Sequence, residues 1–292
     1  MTHAAQQLLS PTTSAGMPLT DSEQKHFVEH GYHILPSFIG AELREKLKAE
    51  VDEFLSDQAA PLDPYGPAGN IRKLQLEYPE HGLLLTEPRL MGLISQLMSN
   101  TEFSFHHLHT AKHTAGFPAA NWHHDYEQYP QSNRSHLMLH VFFYLNGLDG
   151  TIGDLLLLPG TQKRILARDA LEFCGTETLP GTVVIDDVPP GTAIIVNSAV
   201  VHARRSKPGG EGHPRYFIDS SYCQAGVKWP SYSTLHPRLM RRAKELGLGR
   251  AGAYDFVFNA DNFFEEAPAR AQLQALNVGS LILQLPGQRE VG

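Results

Sequence analysis

The apolar pattern of this chain changes period near residue 103. Before that point apolar residues recur at helical spacing. After it they fall in short runs cut apart by Gly- and Pro-containing turns. Helices gathered at one end and followed by many short strands imply an α+β architecture, not an alternating one. Leu19-Thr20-Asp21-Ser22-Glu23-Gln24 opens a helix: Thr20, three residues before Glu23, fits a capping box, and Leu19 is placed to staple behind it. That helix is expected to stop near Gly31 and to lead into a short strand over 32–36. From Ile39 to Leu55 the spacing is helical again, with Leu43, Leu47, Val51 and Leu55 on one stripe. Residues 59–69 read as a Pro/Gly-rich loop and 88–98 as a further helix. Strands are expected over 103–110, 136–145, 154–158, 182–186, 192–196 and 215–223. Asn146-Gly147, Asp149-Gly150, Pro159-Gly160, Pro190-Gly191 and Pro208-Gly209-Gly210 mark turns between them. A double-stranded β-helix, or jelly-roll sandwich, packed against N-terminal helices fits this order best.

One strand separates cleanly by face. Leu137, Leu139, Val141, Phe143 and Leu145 lie on one side and are expected under the helices. His136, Met138, His140, Phe142 and Tyr144 lie on the other, a mixture of polar rings and apolar bulk that suits a cavity wall.

Two separated fragments carry candidate chemistry. One is Trp122-His123-His124-Asp125. The other is the apolar run from Ile194 that ends in His202. Alternate residues of an extended segment point the same way, so His123 and Asp125 can grip one ion from one side. A histidine from a distant strand completes a 2-His-1-carboxylate face with open positions, the donor set of non-haem Fe(II) oxygenases. With 16 histidines in the chain an H-x-D alone carries little weight, and other histidines compete for the role. His124 points to the face opposite its neighbouring carboxylate. His213 lies in a Gly/Pro loop. His136 and His140 lie on a strand and read as cavity lining. His106, His107 and His109 are expected to divide between core and cavity. His123, Asp125 and His202 are therefore the expected metal ligands.

Bulk properties narrow the setting. A net charge of -7 gives no electrostatic reason for nucleic-acid binding. Two cysteines, Cys174 and Cys223, make no disulfide framework and fit a reducing compartment. Residues 1–18 are small and polar, without the basic start and apolar core of a signal peptide, and are expected to be a disordered tail. No segment approaches the roughly 20 apolar residues of a membrane helix. A cytoplasmic protein with no membrane or nucleic-acid partner is expected, as a monomer or homodimer, with residues 19–292 forming one domain.

The chain resembles the phytanoyl-CoA dioxygenase family of Fe(II)/2-oxoglutarate oxygenases. The resemblance rests on pieces in order: Leu19 to Gln24 with His30 to Pro36, Trp122 to Asp125, Gly153 to Lys163, Gly191 to Val196 followed by His202, and then Arg215. It implies Fe(II) at His123, Asp125 and His202, and 2-oxoglutarate as cosubstrate with its far carboxylate on Arg215. Arg suits that role, being planar, always charged and bidentate. It implies use of O2, conversion of 2-oxoglutarate to succinate and CO2, and oxidation, most simply hydroxylation, of an unactivated C–H in a small molecule. Gln162 stands where the family has His after the Pro-Gly-Ser/Thr turn. Arg204 stands where it often has a small hydroxyl. Arg204 and Arg205 compete with Arg215, but side chains two or three residues from a ligand point poorly toward a carboxylate about 5 Å or more from the metal. Asp125 is present where related halogenases lack the carboxylate. A natural-product or lipid-like metabolite is the expected substrate, and no basic cluster marks a CoA 3′-phosphate site. The segment 229–292, with Tyr254, Phe256, Phe258, Phe263 and Phe264, is expected to form a lid, a dimer contact or packing over the sandwich. Two other functions fit the same residues: a cupin-like enzyme using another metal without 2-oxoglutarate, and a jelly-roll binding protein that has lost activity.

Overall fold

The computed structural model describes residues 18–59, 73–127, 134–209, 213–232 and 236–265. Of the expected tail over 1–18 all but Pro18, and most of the 59–69 loop, lie outside these residues. The helices are α1 (Asp21–His30), α2 (Ala41–Ala59), α3 (Pro79–Leu84), α4 (Pro88–Leu97) and α5 (His236–Glu245). The strands are β1 (Tyr32–Leu35), β2 (Phe103–His113), β3 (Ala120–His123), β4 (Met138–Tyr144), β5 (Leu148–Asp149), β6 (Leu155–Leu158), β7 (Val183–Ile185), β8 (Asp187–Val188), β9 (Thr192–Asn197), β10 (Val201–Arg204), β11 (Arg215–Gln224), β12 (Trp229–Pro230) and β13 (Phe263–Phe264). The α1 boundaries follow from local chemistry. Thr20 Oγ1 accepts from the Glu23 N–H at 3.3 Å, and Glu23 Oε2 accepts from the Thr20 N–H at 2.8 Å. Gly31 closes the helix in the left-handed region.

Two antiparallel sheets form the body. One runs β1-β9-β4-β11-β2 and the other β3-β10-β6-β7. Strand alternation divides the apolar residues into layers. Leu139, Val141 and Phe143 of β4 join the helices in the largest core, together with Leu47, Val51, Leu90 and Ile94. Phe142 and Tyr144 point the other way and meet Leu155, Leu157 and Ile185 of the second sheet. Trp122, Leu156 and Val201 pack beneath that second sheet. Each such buried side chain contributes roughly 1.5–3 kcal/mol relative to exposure. The expected cavity face of β4 thus holds for Phe142 and Tyr144, while His140 is buried beside them against Asp219. Met138 belongs instead to the helix-side core, and His136 precedes the strand.

The run 194–202 is not one strand ending in His202. It breaks after Asn197, and His202 lies inside β10, in the opposite sheet. Asn197 makes the break: its carbonyl accepts from the Val200 N–H and its Oδ1 from the Ala199 N–H, at 2.8 and 2.9 Å. This Asx-type turn outcompetes continuation of the strand. A second irregularity lies in β2, where the register with β11 shifts between Ser221 and Tyr222. The extra residue brings His106 and His107 to the same Ser221 hydroxyl, at 3.3 and 2.8 Å, rather than to opposite faces.

Within its described part, the C-terminal segment packs onto β2. Phe256 meets Phe103 with ring centroids 5.4 Å apart, and Phe258 meets Phe105 at 6.1 Å. No helix among the described residues is long and apolar enough to cross a membrane.

Gly191 at the β9 entrance tests this packing. Its φ is +80°, its N–H is shared by the Tyr144 and Leu145 carbonyls, and a Cβ there would press into the Ile39 carbonyl. Gly191→Ala is expected to cost about 1–3 kcal/mol in urea unfolding. Gly40→Ala, with open space around its Cβ, serves as control. Equal midpoints for the two variants would contradict this close approach.

Candidate metal centre and cavity

His123 and His202 are cross-strand partners on β3 and β10, which puts both rings on the face that looks into the sandwich. Asp125 follows the end of β3 and is fixed by its backbone N–H, which donates to the Ser198 carbonyl at 2.8 Å. His202 Nε2 lies 3.2 Å from Asp125 Oδ2, and His123 Nε2 lies 3.6 Å from Oδ1. The three donor atoms are all within 4.8 Å of one another. Each imidazole is oriented from behind by a backbone carbonyl: His123 Nδ1 is 2.6 Å from the Asn121 oxygen and His202 Nδ1 is 3.0 Å from the Val200 oxygen. A carbonyl only accepts, so both Nδ1 atoms carry the proton and both Nε2 lone pairs face the group.

Electrostatics keep the group ready for an ion. Burial, reinforced by neighbouring His202, lowers the His123 pKa to about 4, so its ring is neutral near pH 7. Burial works against charge on Asp125, but the adjacent His202 outweighs it and holds the carboxyl well below its usual range. Arg168 also donates to Asp125 Oδ1 at 3.3 Å. Two imidazoles and one carboxylate match the donor set for a borderline divalent metal. His124 turns away, as expected: its Nε2 donates to the Leu166 carbonyl and its Nδ1 accepts from the Tyr126 N–H. His213 is exposed and outside the group.

These donors open on a cavity of about 270 Å³. Arg215 lines it as expected, and Arg204 lines it too. The expectation that Arg204 would point elsewhere does not hold. Arg204 stacks near Phe117, its guanidinium carbon 5.0 Å from the ring centre, and its Nη1 comes within 2.9 Å of the His113 ring. Arg215 Nε donates to His113 Nδ1 at 3.2 Å. Burial first, then these two guanidiniums, drive the His113 pKa to about 3, so His113 is a neutral acceptor between two cations. Burial pushes the nearby Tyr144 hydroxyl up to about 12, so it keeps its proton. One end of the cavity is therefore a cluster of donors that carries positive charge.

The other side holds residues whose pairing the sequence did not reveal. His140 Nδ1 lies 2.9 Å from Asp219 Oδ1, and His107 Nε2 lies 3.3 Å from Asp219 Oδ2. Burial disfavours the His140 cation, but Asp219 outweighs it and raises the pKa to about 9. Extending period-two alternation along 107–113 and 215–221 would have put these side chains on one wall. The extra residue in β2 hid the pairing. Gln162 donates to the Val28 and Glu29 carbonyls and so ties the Pro159-Gly160 turn to α1.

The family described as phytanoyl-CoA dioxygenase (PhyH) matches residues 27–206. No curated protein matches the chain in sequence. Among solved structures, the non-heme alpha ketoglutarate dependent carbocyclase SnoK from nogalamycin biosynthesis is similar, with TM-score 0.58, 16% identity, and 80% of this chain and 93% of that one covered. EctD from S. alaskensis, solved with 2-oxoglutarate and 5-hydroxyectoine, gives TM-score 0.56 and 17% identity over 76% and 82%. HygX from Streptomyces hygroscopicus, solved with nickel and 2-oxoglutarate, gives 0.56 and 16% over 75% and 93%. At such identities the likeness shows the fold.

The buried neutral imidazoles predict acid lability. His113, His123, His124 and His236 all have lowered pKa values, about 3 for the first and about 4 for the others. Unfolded imidazoles take up protons near pH 6.5, whereas these take them up only near their lower folded values. Stability is therefore lost as pH falls from about 6.5 toward 4, by up to about 2 kcal/mol per ring at pH 5. Urea midpoints of the metal-free protein should fall steeply between pH 7 and pH 5, and a flat profile would contradict neutral burial.

Proposed function

The chain belongs to the phytanoyl-CoA dioxygenase family, and on that premise we propose that it is a non-haem Fe(II)/2-oxoglutarate-dependent oxygenase acting on a small metabolite. The observation that carries this reading is the pairing of the His123, Asp125 and His202 group with the cationic end of one cavity. We assign Fe(II) to those three side chains, and the distal carboxylate of 2-oxoglutarate to Arg215, with Arg204 and Tyr144 beside it. The two-sheet sandwich is read as the double-stranded β-helix of such enzymes. Residues 19–292 are taken as one oxygenase domain, in a cytoplasmic setting. Bound iron with 2-oxoglutarate supplies the oxidising chemistry that converts O2 and the cosubstrate to succinate, CO2 and an oxidised product.

The chain's own residues position and shield. The carbonyls of Asn121 and Val200 fix the tautomer and angle of both imidazoles, so no reorganisation is needed when the ion binds. Asp125 supplies the single negative charge that offsets part of the metal's charge. Arg215 meets its carboxylate in a buried site where water competes poorly, which strengthens the ion pair. Phe142 and Phe217 keep the middle of the cavity apolar and dry. Asp125 fills the coordination position that halide would need, so we assign oxygenation rather than halogenation: hydroxylation, desaturation or ring closure. SnoK is a carbocyclase, so this fold accommodates outcomes other than hydroxylation. A natural-product-like substrate fits the 270 Å³ cavity.

The protein loaded with Fe(II) should turn 2-oxoglutarate over to succinate and, with a substrate in hand, give a product heavier by one oxygen or lighter by two hydrogens. His123→Ala should lose both iron and turnover. Full iron content with normal turnover in that variant would sink the triad, turnover without 2-oxoglutarate would favour the cupin-like alternative, and a chlorinated product in excess chloride would overturn the role of Asp125.

Arg215→Ala should raise the KM for 2-oxoglutarate far more than that for the substrate. Loss of a buried charge-assisted pair is worth about 2–5 kcal/mol, roughly 30-fold or more in affinity. If Arg204→Ala shows the selective effect and Arg215→Ala does not, the assignment belongs to Arg204.

A further inference from the structure

The geometry points to a second divalent transition-metal site, formed by His107, His140 and Asp219, with Asp219 in the wall of the same cavity. Its donor set repeats that of the first group, two imidazoles and one carboxylate, but shares no residue with it. All three residues are buried, and their donor atoms lie within 4.8 Å of one another. The spacings suit an ion. Donors held about 2.0–2.2 Å from one metal at tetrahedral or octahedral angles are roughly 3.0–3.5 Å apart. Here His140 Nδ1 is 2.9 and 3.0 Å from the two Asp219 oxygens, and His107 Nε2 is 3.3 Å from Oδ2. The first group shows comparable values of 3.2 and 3.6 Å.

The surroundings also match those of a ligand set. Ser221 Oγ lies 2.8 Å from His107 Nδ1, so Nε2 is the ring nitrogen that faces Asp219. The Tyr232 ring stacks on His107 at 4.4 Å with a 16° tilt and fixes the ring plane. Asp219 reaches the cavity, so an ion has a route in. Phe142 has its ring centroid 5.8 Å from both the His140 and the His202 rings. The apolar ring sits beside both groups. Three protein donors leave coordination positions open, so the ion expected is Zn(II), Co(II) or another first-row divalent ion that accepts water or a substrate oxygen or nitrogen as a further ligand.

The test is anaerobic titration of the metal-free full chain with Co(II), read by visible absorption and by cobalt retained after desalting. The wild type should hold two equivalents. His123→Ala should hold one, Asp219→Asn one, and the double variant none. His107→Ala should also lose one equivalent and stands in if Asp219→Asn does not fold. A wild type that holds one equivalent, lost entirely in His123→Ala, overturns the second site. So does a second equivalent that survives both Asp219→Asn and His107→Ala, since that cobalt rides on surface histidines. Two equivalents in His123→Ala with one in Asp219→Asn would instead sink the first group as an iron site and leave the second standing.

Discussion

The turn that carries the chain from β9 in one sheet to β10 in the other is the constraint on which the site depends. Four consecutive residues supply it. Asn197 closes the turn with its side chain, and its own N–H is held by the Gly31 carbonyl at 2.7 Å. The Ser198 carbonyl takes the Asp125 N–H, and the Val200 carbonyl orients His202. The Ala199 carbonyl accepts from Arg134, whose guanidinium also reaches Leu166. Through the Ser198 and Val200 carbonyls the turn positions Asp125 and His202, two members of the three-residue group. Gly31 terminates α1 at the same spot, so the first helix is coupled to the site through a backbone hydrogen bond.

The cavity is polarised along its length by pairing rather than by composition. At one end Arg204 and Arg215 sit side by side around a neutral His113, an arrangement that repels itself until an anion arrives. The cost of holding these two guanidiniums together, Arg215 buried and Arg204 half-buried, is carried by the surrounding fold. On the other side, His140 and Asp219 neutralise each other. Between them lie aromatic rings. A ligand spanning this space meets positive charge, an apolar middle and a compensated polar wall, which gives it a defined direction in the cavity.

Much of the fold was legible in local chemistry. The Thr20–Glu23 cap, the Gly31 stop and the alternation of β4 are written in adjacent residues, because capping, left-handed turns and the two-residue period are short-range effects. The strands β3 and β10 were harder to see. Each is only a few residues long, and each gains its register from partners far away in sequence. The break after Asn197 had a local signal, the Asn-Ser pair, but a continuous apolar run from Ile194 to Val201 masked it. The shifted register in β2 had none, since a bulge is fixed by the partner strand.

By itself the sequence determined the helical start, the sandwich class, and His123, Asp125 and His202 as a donor set, because residue type and short spacing suffice for these. Only the tertiary structure decided that His202 arrives from inside a strand of the second sheet, and that Arg204 joins Arg215. It alone decided that His107, His140 and Asp219 meet. The reason is physical: which side chains share a wall is set by strand register, and register is settled by the packing of whole sheets rather than by neighbours along the chain.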